Sequence, residues 1–309
     1  MTTTRSNKKL ICIVGPTAVG KTQLAIDLAK KLNTVIISAD SRQFYRELNI
    51  GTAKPSPEDL NAVPHYFINS HSIQEEFSAG DFEKACLELL KDLFTKKDEV
   101  ILVGGSGLFV NAICEGLDDL PFIPSELREK WNNIYQNKGI EALKEHLKNV
   151  DPNYYEQVDK ANPQRLIRAI EVFEATGKPY SEYRIKNTSS RPFNCIKFAL
   201  NRDRDELYHR INSRVDIMMK EGLLEEVKGL VEFKNLRNLL TVGYSELFDY
   251  FDGKHSNLEE AVDKIKQNSR RYAKRQITWF KKDTNTVWLD ASKSTQDLLT
   301  EIENTLKRK

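Results

Sequence analysis

The sequence predicts an α/β fold, a mostly parallel sheet flanked by helices, with an inserted all-helical subdomain. Three observations carry that prediction. Short apolar runs rich in β-branched residues alternate with segments of helical period, and glycine-bearing or polar turns follow the runs. A purely helical stretch then interrupts the alternation before another apolar run appears. The 309 residues supply ample material for a core, and 39% of them are apolar. No stretch approaches the roughly 18 uninterrupted apolar residues of a membrane helix, and Met1 to Lys9 lacks an apolar segment of secretory length, so a cytoplasmic protein is expected.

Taken in order, Leu10-Ile-Cys-Ile-Val14 reads as a buried strand ending at Gly15. From Lys21 the period changes, with Leu24, Ile26, Leu28, Ala29 and Leu32 among good helix formers. Val35-Ile-Ile-Ser-Ala39 is a second strand, ending at Asp40, and Val100-Ile-Leu-Val103 a third, ending in Gly104-Gly-Ser-Gly107. Ligands of parallel sheets bind beyond the carboxyl ends of the strands, so these three loops are expected on one rim. Helical signals at Ser125 to Asn137, Ile140 to Lys148 and Pro163 to Ala175 follow, the last with Asn162-Pro163 as its start and Thr176-Gly177 as its stop. Ile196 to Leu200 returns to the sheet. The expected organisation is therefore a core of 1–119 and 191–309 carrying an insertion of 120–190. Asp203 to Phe251 and Leu258 to Lys282 are again helical, and Thr286-Val-Trp-Leu289 is a last strand.

Gly15-Pro16-Thr17-Ala18-Val19-Gly20-Lys21-Thr22 fits the phosphate-loop pattern and lies between a strand and a helix, as that motif requires. Loop N–H groups and the positive end of the helix surround a phosphate, Lys21 supplies a mobile cation, and the Thr22 hydroxyl can ligate Mg²⁺. The motif establishes a polyphosphate site and not a reaction. The Val100 to Val103 run ends in glycine where an ATP-hydrolysing relative needs a carboxylate, which disfavours ordinary hydrolysis. Asp40 is the carboxylate placed to reach the loop, as metal ligand, helix cap or general base. The turn around Ser106 is either a second ligand loop or a plain strand-to-helix turn.

Arg165 and Arg168, three apart on one helix, suit a diphosphate or are solvated arginines that pair with Glu171 or Glu174. Charge is unevenly spread. The total is +2, yet Lys264 to Lys282 holds eight basic residues and no acidic one, leaving 39 basic against 45 acidic residues elsewhere, a charge of −6. Tyr272, Trp279 and Phe280 are interleaved, so the segment reads as a nucleic-acid footprint with base-stacking aromatics or as a basic helix whose aromatics face the core. The histidines show no zinc-ligand spacing. Cys12, Cys86, Cys114 and Cys195 fit neither a zinc ribbon nor a disulfide framework and are expected as thiols, mostly buried.

The phosphate loop, Ser38-Ala-Asp-Ser-Arg-Gln-Phe-Tyr-Arg46, Ile50-Gly-Thr-Ala-Lys-Pro55, Gly104-Gly-Ser-Gly-Leu-Phe109, Asn162-Pro-Gln-Arg-Leu-Ile-Arg168, Val242-Gly-Tyr244 and Lys274-Arg-Gln-Ile-Thr-Trp279 together resemble the bacterial tRNA dimethylallyltransferase family over nearly the whole chain. The resemblance implies a phosphate-loop NTPase-like core and transfer of the dimethylallyl group of dimethylallyl diphosphate to N6 of the adenosine 3′ of the anticodon. Mg²⁺ serves as cofactor, pyrophosphate leaves, and the tRNAs read codons beginning with U. It implies Asp40 as acceptor of the N6 proton, Lys21 on the leaving group, Thr17 and Ser106 as positioning groups, and Thr22 as metal ligand. The tRNA contacts it implies are Asp40, Ser41, Arg42, Gln43, Ser106, Arg128, Gln164, Arg165, Leu166, Ile167 and Arg168. Val242, Gly243, Tyr244, Arg271, Lys274, Arg275 and Gln276 complete that set. Ser106 stands where many members carry Thr, and Phe44 and Phe109 where Val and Tyr are frequent. A monomer is the family expectation. The rival readings are a kinase of the same fold, a prenyltransferase acting on free AMP or ATP, and an RNA-binding module with a vestigial nucleotide loop.

Overall fold

The computed structural model describes residues 7–184 and 191–308. The chain divides into two compact units, one of residues 1–114 and 190–309 and the other of residues 115–189.

The first unit begins with β1 (Lys9–Val14), α1 (Lys21–Lys31) and β2 (Ile36–Ser38), followed by α2 (Pro57–Ala62), β3 (His65–Tyr66), α3 (Ala79–Leu93), β4 (Glu99–Gly104) and α4 (Gly107–Cys114). The second unit holds α5 (Ser125–Val150), α6 (Pro152–Gln157), α7 (Pro163–Thr176) and α8 (Tyr180–Tyr183). The chain then returns to the first unit with β5 (Asn194–Asn201), α9 (Arg204–Lys220), α10 (Leu223–Lys228), α11 (Tyr244–Phe251), α12 (Leu258–Phe280), β6 (Val287–Asp290) and α13 (Thr295–Arg308).

The sheet is parallel at every pairing, in the order β3-β2-β4-β1-β5-β6. Its central strand shows why the apolar runs are continuous. Ile11 and Ile13 point into one core cluster with Leu24, Leu28 and Ile302, while Leu10, Cys12 and Val14 point into another with Phe82, Leu90 and Val110. A strand covered on both faces has no polar side to alternate, and each fully buried Ile or Leu contributes about 2 kcal/mol. β1 is also where the connections diverge, toward β2 and β3 on one side and β5 and β6 on the other, the crevice in which sheets of this kind take ligands. The loops after β1, β2 and β4 lie side by side there, as the strand ends required.

The insertion has its own core of Trp131, Leu143, Leu147, Leu166, Ile167 and Ile170. The two helices expected before 150 run as one span with a break at Gly139, whose φ of 74° is outside helical space. Asn162 caps α7 by accepting from the Arg165 N–H, and Gly177 ends it at φ 72°.

Candidate active site

A cavity of about 580 Å³ opens at the strand ends of the first unit, lined by Thr17, Ala18, Lys21 and Thr22 from the phosphate loop and Asp40 to Gln43 from the turn after β2. Gly104 and Gly105, Arg214 and Met218 of α9, Val242 and Gly243, and Tyr272, Arg275 and Gln276 of α12 complete its walls. The sequence folds each wall for a local reason. Leaving β1, the loop turns tightly enough to put Ala18 at φ 61°, in the left-handed region that side chains avoid, and Arg210 holds it there by donating Nε to the Ala18 carbonyl at 2.9 Å. Arg202 does the same to the Val19 carbonyl at 3.2 Å. These bonds consume loop carbonyls and leave the N–H groups from Ala18 onward as the anion-binding feature.

Gln276 ties the two glycine loops together. Its Oε1 accepts the Thr17 N–H at 2.9 Å and its Nε2 donates to the Gly105 carbonyl at 3.0 Å, the second bond buried. A Cβ on Gly105 would stand 2.2 Å from that Nε2, and one on Gly107 would stand 2.1 Å from Trp279 Cδ1. The second glycine loop is therefore glycine so that α12 can lie against it. Its hydroxyl faces the other loop: Ser106 Oγ accepts from the Ser41 N–H at 3.3 Å and hydrogen-bonds the Tyr272 side chain.

Asp40 is no helix cap, because turns and not a helix follow it. One carboxylate oxygen, Oδ1, accepts the Arg42 N–H at 2.9 Å, which orients the side chain. Gln43 Oε1 accepts from Ser38 Oγ at 3.1 Å, and its amide spans to the Thr52 and Ala53 carbonyls at 3.3 Å. Two cations share the field of Asp40. Lys21 donates to the Pro16 carbonyl at 2.6 Å, and burial, with the nearby Arg214, pushes its ammonium down to about 7 while Asp40 opposes that shift. Burial likewise lowers Arg214, again opposed by Asp40. Charge that is costly to bury and faces one carboxylate is poised for an anionic ligand.

A sequence profile described as IPP transferase matches residues 43–283. The chain belongs to the IPP transferase family. Relatives include tRNA dimethylallyltransferase 1 of Bacteroides thetaiotaomicron, 47% identical over 94% of each chain. The tRNA dimethylallyltransferase of Flavobacterium johnsoniae is 48% identical over 97% of this chain and 99% of the relative. Among solved structures, the full-length tRNA isopentenylpyrophosphate transferase of Bacillus halodurans matches with a TM-score of 0.71 at 38% identity, covering 97% of this chain and 96% of the other. A eukaryotic dimethylallyltransferase, solved acting on tRNA, matches with a TM-score of 0.76 at 28% identity, covering 92% of this chain and 74% of that one.

In this IPP transferase the predicted residues divide sharply. The phosphate loop, Asp40 to Gln43, Ser106, Val242, Gly243, Arg275 and Gln276 meet in or beside one cavity. Tyr244 does not present itself as a contact surface. It is fully buried, donates its hydroxyl to Glu226 Oε1 at 2.6 Å and packs against Gly51. Glu226 also accepts from the Ile50 N–H at 2.8 Å, so Tyr244 belongs to the anchor of the Ile50 to Thr52 turn. Leu166 and Ile167 are likewise core residues with no exposed area, so their side chains are unavailable to RNA. Arg128 and Arg168 both converge on Glu171, which is 1% exposed, Arg168 at 2.7 Å, so the ion-pair alternative describes Arg168 and applies to Arg128 too. Of the aromatics in the basic segment, Phe280 is in the core and Trp279 lies over Gly107, because the helix that carries them turns that face inward. Arg271, Lys274 and Arg275 remain exposed, Arg275 at the edge of the cavity.

Sequence reasoning missed Arg214. Its signal was a cation on the apolar stripe of α9, between Leu207, Ile211, Val215 and Met218, where a solvated arginine has no place. It also missed Glu246, whose buried carboxylate accepts from the Gly243 N–H at 2.8 Å and Asn268 Nδ2 at 2.7 Å and so fixes part of the cavity wall.

Proposed function

We propose that the protein transfers the dimethylallyl group of dimethylallyl diphosphate to N6 of adenosine 37, immediately 3′ of the anticodon, in tRNAs that read codons beginning with U. It acts as a monomer in the cytoplasm and releases pyrophosphate. The observation that carries this reading is one cavity in which a phosphate loop and a carboxylate, Asp40, face each other.

Breaking an allylic carbon–oxygen bond builds positive charge on carbon and negative charge on the departing diphosphate. Loop N–H groups, Lys21 and Arg214 are aimed where that negative charge develops, inside a partly water-excluded site, which is the arrangement that lowers such a barrier most. The Thr22 hydroxyl on the cavity wall is a hard oxygen of the kind Mg²⁺ takes, and that ion needs few protein ligands. A Mg²⁺ held there by Thr22 would help to neutralise leaving-group charge. Asp40 holds the N6 amine by a hydrogen bond and takes its proton as the new carbon–nitrogen bond forms. Thr17 and Ser106 position the reactants, and their own placement depends on Gln276 and Tyr272. Adenine cannot enter such a cavity while stacked, so it is flipped out at a cost of a few kcal/mol.

A phosphoryl-transfer reading lacks support because β4 ends in Gly104 and offers no second carboxylate. The decisive experiment supplies labelled dimethylallyl diphosphate and Mg²⁺ with either bulk tRNA or AMP. Label is expected in tRNA alone. Label confined to AMP would overturn the acceptor, and label in neither would overturn prenyl transfer.

A further inference from the structure

A second cavity, of about 610 Å³, lies in the same unit, walled by the segment that joins β2 to α2, by the start of α2 and by the last turns of α9. Among the described residues it shares three wall residues with the first cavity: Ala53, Arg214 and Met218. The partition between the two is therefore a single layer of side chains. Beyond it the walls are largely apolar, with Ile50, Pro55, Pro57, Leu60 and Ile217. Lys54 also lines this space, but its ammonium donates to the Tyr45 carbonyl at 2.6 Å and to Asn49 Oδ1 at 3.0 Å, so it ties down the segment and is not free to hold an anion. Glu226 accepts the Ile50 and Gly51 N–H groups at 2.8 and 3.2 Å, so the space is built before any ligand enters it.

We propose that Met218, with Ala53 beside it, is the partition that limits the prenyl donor to one isoprene unit, and that the second cavity is room for a longer chain which this partition denies. This role rests on the proposed prenyl transfer and names what sets the length of its donor.

The geometry of α9 supplies the ruler. Ile211, Arg214, Val215 and Met218 follow at i, i+3, i+4 and i+7, one stripe of the helix along the first cavity. Arg214 is the cation of that stripe and faces the departing diphosphate. At the rise of a helix, Met218 stands about 6 Å further along the axis, close to the length of a five-carbon allylic chain. A chain that starts from a diphosphate at Arg214 and follows the apolar side chains thus ends against Met218, and a second isoprene unit would need the volume that Met218 fills. Of the shared residues, Arg214 is committed to the phosphates. Ala53 offers one methyl, on a backbone tied to Gln43 and Ile50. Met218 is long, buried and packed in the cluster of Val215, Leu223 and Ile265, which keeps its uncharged thioether across the opening.

The test gives the full chain Mg²⁺, bulk tRNA and either dimethylallyl diphosphate or its ten-carbon homologue, geranyl diphosphate, and reads kcat/KM for each. The parent protein should use the first and refuse the second. Met218→Ala should raise the ratio of geranyl to dimethylallyl transfer by about a hundredfold, since even one methylene of misfit in an apolar pocket is worth roughly 10- to 200-fold. Because Met218 also packs in the core, truncating it costs stability, and Ala53→Gly opens the partition by another route. Ala53 sits at φ 42°, where glycine is at home, so this change eases the backbone and should raise the ratio about fivefold. Adding Leu60→Trp to Met218→Ala narrows the second cavity and should return the ratio toward that of the parent.

Comparable use of both donors by the parent would overturn the limit. So would an unmoved ratio in a folded Met218→Ala protein or, where that variant does not fold, in Ala53→Gly. A geranyl gain that survives Leu60→Trp would place the longer chain elsewhere and overturn the role of the second cavity. A parent protein that transfers dimethylallyl to no acceptor would instead sink prenyl transfer itself, and the partition with it.

Discussion

In the core unit, Lys21 and Arg214 border a cavity in which the carboxylate they share is Asp40, and burial disfavours the charge on both. In the insertion, Arg128 and Arg168 converge on the buried Glu171, and their charge is absorbed by an ion-pair cluster inside the unit. The same chemistry, paired cations beside one acid, thus serves two ends. Where the partners close on each other at hydrogen-bond distance the cluster is structural. Where they share only a field across an opening it waits for a ligand.

The sharpest way to break this comparison is Asp40→Ala. If Asp40 serves chemistry, transfer falls by about a thousandfold, the scale of a lost general base, while pyrophosphate binding measured by calorimetry stays within a few-fold. Equal loss of binding and turnover would make Asp40 chiefly a metal ligand and the core cluster a binding device.

A second test uses pH. Burial brings the Lys21 ammonium down to about 7, and the charge of a bound diphosphate should restore its protonated form. Above pH 7 the free protein has lost the proton that the complex holds, so binding takes one up and weakens as pH rises. The expected slope is about tenfold per pH unit between 7.5 and 9.5. Calorimetry in buffers of different ionisation enthalpy should register close to one proton taken up at pH 8.5, and Lys21→Ala should abolish the slope. A flat profile would mean that Lys21 carries its charge regardless of ligand.

For the insertion, Glu171→Ala leaves two guanidinium groups facing each other without their acid. Because both arginines are partly exposed, the loss is about 2 kcal/mol, less than for a fully buried pair. Amide exchange in α5 and α7 should quicken by roughly thirtyfold, with Lys21 and the phosphate loop unaffected. Exchange unchanged in those helices would show that Glu171 is not what holds the arginines.

Much of this architecture was legible in the chain. β1, β2 and β4 announce themselves because both faces of each strand are covered, and Asn162 and Gly177 mark α7 by local backbone chemistry alone. β3 was illegible, since two half-buried residues, His65 and Tyr66, carry no period. The phosphate loop and Asp40 could be read because a motif concentrates them. Arg214 and the contact of Glu246 with Asn268 could not, because each draws its meaning from neighbours distant in sequence. The same limit misassigned Tyr244, Leu166 and Ile167, which sit in family motifs for packing reasons that a motif does not reveal.

The smallest expected effect concerns the exposed side of the basic helix, which meets the cavity at Arg275 and forms no closed cluster at Arg271, Lys274 and Arg275. Lys266 pairs with Asp216 at 2.7 Å and Arg270 donates to Asn212 Oδ1 at 2.6 Å, so part of the +8 is used within the protein. Arg271, Lys274 and Arg275 are exposed, and with Phe280 in the core and Trp279 over Gly107, these two aromatics are occupied by packing. Attraction here is accordingly electrostatic more than stacking. Each phosphate neutralised contributes about 0.7 to 0.9 to the slope of log affinity against log salt, so glutamine at all three positions should flatten that slope by about 2 to 3. Affinity should drop by some tenfold at low salt and converge with the parent protein at high salt. A parallel shift with the slope intact would mean that the three side chains act through local structure, and that tRNA meets the protein by another face.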